Sequence, residues 1–143
     1  MLTIREMRSE DYDALVVVWK EAGLPFRPDG RDQRERITQE ISGQCSIFLV
    51  AEIKRRIVGA VLGTHDGRKG WINRLAVLPH HRRQWIAAAL VAAVEAQLGK
   101  LGIEIVACLI EDWNTDSMTV FEHLDYKRHP DVLYFSKRKN AGV

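Results

Sequence analysis

One stretch of the sequence places cations where a helix already carries positive charge. Residues 79–98 read PHHRRQWIAAALVAAVEAQL, and the second half consists mostly of good helix formers. No Ser, Thr, Asp or Asn caps the apolar run, and His80, His81, Arg82 and Arg83 stand there instead. Unless solvent alone screens these charges, bare amide N–H groups and cations at one point predict a binding site for an anion.

The elements around this basic turn predict a mixed α/β domain that comprises residues 1–143. Alternating or β-branched runs predict strands at LTIRE, CSIFLVAEI, IVGAVLGT, WINRLAVL, IEIVACLI and VLYFSK. Helical periodicity predicts helices at residues 9–22, with Ser9 as the cap, at 32–42, from Pro79 to Leu101, and at 114–124. We therefore expect a mixed, largely antiparallel central sheet with helices on both faces and one parallel crossover. The basic turn follows a strand directly, at an edge of the sheet where ligands bind.

Composition excludes several classes of function. The chain has 143 residues, of which 46% are hydrophobic, and its net charge of +2 is too small to indicate nucleic-acid binding. No run of 18 apolar residues predicts a membrane span, and the polar N-terminus is not a signal peptide. CxxC, HExxH and Walker A patterns are absent, so we expect no metal. Cys45 and Cys108 lie in apolar runs, which favours buried free thiols and a cytoplasmic location.

The order of the predicted elements, together with LAVLPHHRRQWIAAALV and IEDWNTDSMTVFEHLDY, resembles the GNAT family of acetyl-CoA-dependent N-acetyltransferases. The resemblance covers nearly the whole chain, and FLVAE and DVL are similar to segments of a small bacterial YpeA-type subgroup. It implies acetyl-CoA as cosubstrate. It also implies that the acceptor is a primary amine of a small molecule, a peptide or a protein N-terminus.

The resemblance also implies which residues hold the cosubstrate. The loop motif of the family, Q/R-x-x-G-x-G/A, falls on Arg82, Trp85 and Ala87, and the amides of residues 83–88 would hold the CoA pyrophosphate. The fourth predicted strand would bind the pantetheine arm through its backbone, and the residue after the fifth strand would contact the same arm. The implied cofactor-binding residues are Leu75, Ala76, Val77, Arg82, Arg83, Gln84, Trp85, Ile86, Ala87, Ala88 and Asn114.

Trp85 departs from the motif, because the family has glycine there. A right-handed helical backbone accommodates the tryptophan, whereas a positive φ would cost roughly 1–2 kcal/mol. Three interpretations follow: the indole packs against a neighbouring strand or helix, it lines the cofactor, or it occludes the cofactor.

Phe121 is a second departure. Seven residues after the asparagine that Asn114 matches, the family usually has a tyrosine that protonates the CoA thiolate. Phenylalanine has no proton to give. Water, Ser117 or an N–H group could substitute, so we expect a slow enzyme rather than an inactive one. Asp125 replaces the glycine that precedes the final aromatic, and aspartate tolerates a left-handed turn better than most residues.

The amine must be neutral to attack, so a base should accept its proton. Glu111 is the predicted base, with Asp112 beside it, and the alternative is that both are solvated loop acids. Glu52 is a weaker candidate that is more typical of a strand end at the surface. Asn73 cannot act as a base, but it could orient water or substrate.

Other interpretations concern the acceptor and the partners. By resemblance, FRPDGR borders the substrate, and Arg27 or Arg31 could bind a substrate carboxylate there, the alternative being a plain exposed loop. The alternative function is a CoA-binding module that has lost most of its catalysis, which Trp85 and Phe121 motivate. Nucleic-acid binding through HHRRQW and GRKGW is the weakest hypothesis, no membrane partner is expected, and a homodimer is possible.

Overall fold

The computed structural model describes residues 1–143 and contains five strands and four α-helices. The strands are β1 (Leu2–Glu6), β2 (Ser46–Ile53), β3 (Arg56–His65), β4 (Lys69–Val77) and β5 (Ile105–Ala107). The helices are α1 (Tyr12–Glu21), α2 (Arg34–Ile41), α3 (Ile86–Lys100) and α4 (Thr115–His123), and short 3-10 turns lie at Ser9–Asp11 and Pro79–His81.

The strands form one sheet in the order β1-β2-β3-β4-β5. The first three pairs are antiparallel, and β4 pairs with β5 in parallel across α3. The predicted mixed, largely antiparallel sheet is therefore confirmed. Lys54 and Arg55 join β2 to β3 with φ of 52° and 64°, the backbone that a two-residue hairpin needs to match strand twist.

The helices cover both faces of the sheet, as expected. A Cβ on Gly63 or Gly70 would collide with the side chain of Val94 or Leu98, so these glycines let α3 lie close to β3 and β4. On the opposite face, α1 packs against β3 and β4 with Leu15 and Trp19 fully buried. None of the helices is long and apolar enough to cross a membrane.

Five predictions of local structure were wrong. VLYFSK is no strand: it lies outside the sheet, with Phe135 87% exposed. β5 has three residues rather than the eight of IEIVACLI, so it offers little edge for a further strand to pair with. α3 begins at Ile86 rather than after Pro79. Ser9 starts a 3-10 turn without capping a helix, and Cys45 is exposed because it precedes β2, whereas Cys108 is half-buried.

Candidate active site

A gap opens between β4 and β5. The two strands pair only from Lys69 with Ile105 to Trp71 with Ala107. β4 continues to Val77, so the backbone groups of residues 72–77 that point toward β5 have no partner strand. Leu75, Ala76 and Val77, predicted to bind the pantetheine arm, all lie on this free edge. An extended ligand can form strand-like hydrogen bonds there.

The start of α3 lies at the same end of the gap and presents unpaired donors. Its N-cap residue makes no side-chain hydrogen bond, and its first turn contains no acid. Ala89 N donates to Trp85 O at 3.0 Å, which leaves the amides of residues 86–88 without helical acceptors. Ile86 is buried and its side chain belongs to the core, whereas Ala87 and Ala88 are half-buried. Arg82, Arg83 and Gln84 are exposed beside these amides, in an arrangement that suits an anion.

Trp85 has φ 63° and ψ 16°, which is a left-handed backbone, and its side chain is 81% exposed. The interpretation that it packs against a neighbouring element is therefore wrong. The left-handed backbone directs the indole into solvent at the start of α3. Arg83, with φ 62°, is also left-handed, so two strained residues shape this loop within three positions.

The other wall of the gap begins after β5 with the start of α4. Asn114 caps this helix, because its Oδ1 accepts from Ser117 N at 3.2 Å. The cap fixes the side chain and leaves its amide nitrogen free for a ligand. Phe121 is 6% exposed, and its ring meets that of Tyr126 edge to face at a centroid distance of 5.0 Å.

The turn after α4 explains the residues around Tyr126. Asp125 has φ 69°, a left-handed backbone that aspartate tolerates better than most residues. The Tyr126 hydroxyl donates to Glu95 Oε2 on α3 at 2.7 Å, and burial together with this carboxylate raises the pKa of Tyr126 above its usual value. Burial also raises the pKa of the Cys108 thiol to about 11. Both groups therefore stay protonated near neutral pH.

The three candidate bases differ in their surroundings. Glu52 accepts from Arg5 Nε at 3.1 Å and from Arg5 Nη2 at 3.2 Å, and these hydrogen bonds lower the pKa of its carboxyl group. It lies two strands from the gap, so Glu52 is an ion-pair partner and is not placed to act as a base. Glu111 and Asp112 follow β5 and are exposed at the wall of the gap.

The loop between α1 and α2, residues 22–33, is the segment that was predicted to border the acceptor. Arg27 and Arg31 are exposed there. Asn73 lies on β4 beside the gap, and its Nδ2 donates to Thr64 Oγ1 at 3.1 Å. Its amide oxygen remains available to orient a ligand.

Sequence reasoning missed the residue that joins this loop to the sheet. Arg74 Nη2 donates to Pro25 O at 2.7 Å, and the guanidinium lies 4.2 Å from the centroid of the Trp19 ring. The loop is therefore held beside the gap. Asp32, 3% exposed, lies next to this contact. The only signal in the sequence was a charged residue within a predicted strand, Arg74, and another in a loop, Asp32.

A separate cavity of about 210 Å³ adjoins the basic turn, and His81 Nδ1 at its border is buried without a partner. No residue of the free edge of β4 lines it. No group of three or more His, Cys, Asp or Glu residues is arranged to hold a metal ion. The cavity is lined by Glu21, Arg56, Leu78, Pro79, His80 and His81.

Comparison with known proteins shows which family and which fold this chain resembles. The model of the family described as "Acetyltransferase (GNAT) family" matches residues 4–126. An acetyltransferase of Photorhabdus laumondii is 31% identical over 138 residues, which are 96% of this chain and 95% of that protein.

Solved structures share the fold at low identity. AAC(6')-Iy in complex with a bisubstrate analogue that contains CoA has a TM-score of 0.81 at 19% identity, covering 96% of this chain and 99% of that one. A PaiA N-acetyltransferase from Thermoplasma acidophilum in complex with CoA has a TM-score of 0.79 at 19% identity, covering 87% and 88%.

Proposed function

The chain belongs to the acetyltransferase (GNAT) family, and from this premise we propose that it transfers an acetyl group from acetyl-CoA to a primary amine. One observation carries the proposal: the unpaired edge of β4 leads directly to the bare start of α3. The proposal includes membership of the small bacterial YpeA-type subgroup and action in the cytoplasm.

The residues present fit acetyl-CoA. Its thioester supplies an acetyl group that is already activated for transfer. The free edge at Leu75, Ala76 and Val77 offers backbone donors and acceptors for the pantetheine arm. The amides of residues 83–88, with Arg82, are suited to the two phosphates, because unpaired N–H groups, the helix dipole and the cation all favour negative charge.

We propose that the acceptor amine carries a carboxylate. The exposed cations of the loop, Arg27 and Arg31, outnumber its exposed acid Asp29. Asp32 is buried and already accepts from Arg27 N at 2.7 Å, so it adds no negative charge at the surface. Such a surface disfavours a polycation. Solved structures with this fold include aminoglycoside acetyltransferases, whose acceptors are polycations. Comparing an anionic amine with an aminoglycoside therefore tests the proposed acceptor preference.

The chemistry that we assign to this chain is limited to positioning the two reactants and accepting one proton from the amine. Glu111 is exposed beside the gap, so it can take the amine proton and return it to water. Phe121 cannot protonate the departing thiolate. Orientation of two bound reactants alone still supplies several kcal/mol toward the barrier. The expected enzyme is therefore slow.

A second candidate function is a CoA-binding module with very weak catalysis. The observation that favours it is the pair of departures at Trp85, which is strained, and at Phe121, which lacks a phenol. Both functions predict CoA binding, and only turnover separates them.

The experiment measures binding and turnover in parallel. Acetyl-CoA should raise the melting temperature, since a ligand of the native state stabilises it by mass action. Arg82→Glu should reduce this shift, whereas Arg68→Glu, the same change in the turn that precedes β4, should not. No shift for the wild type at millimolar acetyl-CoA would refute cofactor binding.

Turnover is read as free thiol released from saturating acetyl-CoA with three amines. We expect L-alanyl-L-glutamate to react faster than L-alaninamide, and sisomicin to react slowest. The reverse order would contradict an anionic acceptor. A melting shift without thiol release from any amine would establish the CoA-binding module instead.

A further inference from the structure

A bulge in β4 turns Arg74 toward α1. Ala60 pairs with Ala76, and Leu62 pairs with Asn73. Arg74 and Leu75 of β4 therefore both oppose Val61 of β3. Arg74 has φ 50°, a left-handed backbone that is unusual for a residue with a long side chain. Regular alternation would have aimed it at the α3 face, and the bulge re-aims it.

The guanidinium of Arg74 contacts three different parts of the acceptor side. It stacks over the fully buried indole of Trp19, with 4.2 Å from Cζ to the ring centroid. Its Nη2 donates to Pro25 O at 2.7 Å. The same atom lies 3.9 Å from Asp32 Oδ2, close enough for an ion pair but too far for a hydrogen bond.

Asp32 extends this contact through the loop. Its Oδ2 accepts from Arg27 N at 2.7 Å, and its backbone oxygen accepts from the Tyr12 hydroxyl at 2.7 Å. The carboxylate is therefore tied to the residue proposed to bind the acceptor. Without Arg74 it would be a buried charge whose nearest cation is gone.

Two buried donors in this cluster have no acceptor, Arg74 Nε and Trp19 Nε1. Unpaired buried N–H groups are rare, because each loses its hydrogen bonds to water without replacement. The strained backbone at the same residue supports a functional reason for this arrangement.

We infer that Arg74 is a positioning residue for the acceptor: it holds residues 25–32 against the sheet at the mouth of the gap, and so sets where Arg27 meets the substrate. The inference rests on the proposed function. It predicts that disturbing Arg74 weakens acceptor binding and leaves acetyl-CoA binding intact, because the cofactor uses the β4 edge and the start of α3.

The first test is Arg74→Lys, which keeps the charge but loses the planar fork and the stacking. Hydrogen exchange at the hydrogen-bonded amides of Arg27, Gly30 and Asp32 should accelerate by about tenfold or more as the loop opens locally. The KM for L-alanyl-L-glutamate should rise by about tenfold, with the KM for acetyl-CoA changed by less than about twofold. Asp32→Asn changes the other partner of the contact. It should likewise raise the KM for L-alanyl-L-glutamate and leave the KM for acetyl-CoA nearly unchanged.

Arg5→Lys is the matched control. Arg5 is also half-buried and pairs with Asp11 and Glu52, but it lies on β1 at the opposite edge of the sheet. It should lower stability without changing loop exchange or either KM. Unchanged exchange in Arg74→Lys, or an equal rise in both KM values, would overturn the inference. If the wild type does not acetylate L-alanyl-L-glutamate, the proposed acceptor fails, and the two KM values measured with whichever other amine reacts, together with the exchange comparison, decide the role of Arg74.

Discussion

Replacing Trp85 with glycine should stabilise the protein. Its φ of 63° costs a residue with a Cβ roughly 1–2 kcal/mol. Glycine removes this strain but loses about 0.5–1 kcal/mol through the greater entropy of the unfolded chain. The indole is 81% exposed, so little apolar burial is lost. The net gain in the free energy of unfolding is about 0.75 kcal/mol, which corresponds to a rise of about 2 °C in Tm.

The assay is urea unfolding followed by far-UV circular dichroism, because removing a tryptophan alters fluorescence. Trp85→Ala keeps the Cβ and hence the strain, so it should stay within about 0.5 kcal/mol of the wild type. Trp113→Gly is a second control, since Trp113 is 64% exposed without a left-handed backbone and should gain nothing. Equal stabilisation by Trp85→Ala and Trp85→Gly would show that removing the indole, and not relieving strain, is the cause.

Two further predictions concern turnover and pH. Phe121→Tyr restores a phenol and should raise thiol release by about tenfold with unchanged acetyl-CoA affinity; an unchanged rate would mean that position 121 does not face the sulfur. Burial opposes ionisation of Asp11, but hydrogen bonds from Arg5 and Arg8 N outweigh it and hold the pKa of Asp11 below its usual value. The stability that Asp11 contributes is therefore complete above about pH 4 and lost as pH falls further. Urea unfolding between pH 7 and pH 3 should show a smaller decline in Asp11→Asn than in the wild type.

Much of the fold could be predicted because its signals are local. Short turns between apolar runs predicted the β2–β3 and β3–β4 hairpins. The run at 132–137 has the composition of a strand, but strand formation also requires a partner edge of sufficient length. β5 is too short to provide one, and no local pattern reports the length of a distant strand.

In the candidate site, too, features set by neighbours in sequence could be predicted, and features set by distant partners could not. The bare, basic start of α3 could be predicted because capping depends on neighbours in sequence. The role of Arg74 could not, since it follows from a bulge that is visible only in the pairing of β3 with β4. Glu52 shows the same limit: the sequence left a base open as the weaker alternative to a surface residue, and a partner 47 residues away, Arg5, makes it an ion-pair acceptor.

Binding and catalysis depend on different kinds of atoms in this chain. The proposed cofactor site consists mainly of backbone groups, the free edge of β4 and the amides at the start of α3, and a change of side chain leaves their hydrogen-bonding capacity intact. An exposed indole at Trp85 can therefore coexist with an anion on those amides. Proton transfer instead needs a particular side chain at a particular place, and Phe121 removes one such group. Substitutions in this family member should thus reduce turnover more readily than affinity for acetyl-CoA, and Phe121→Tyr should change the first without the second.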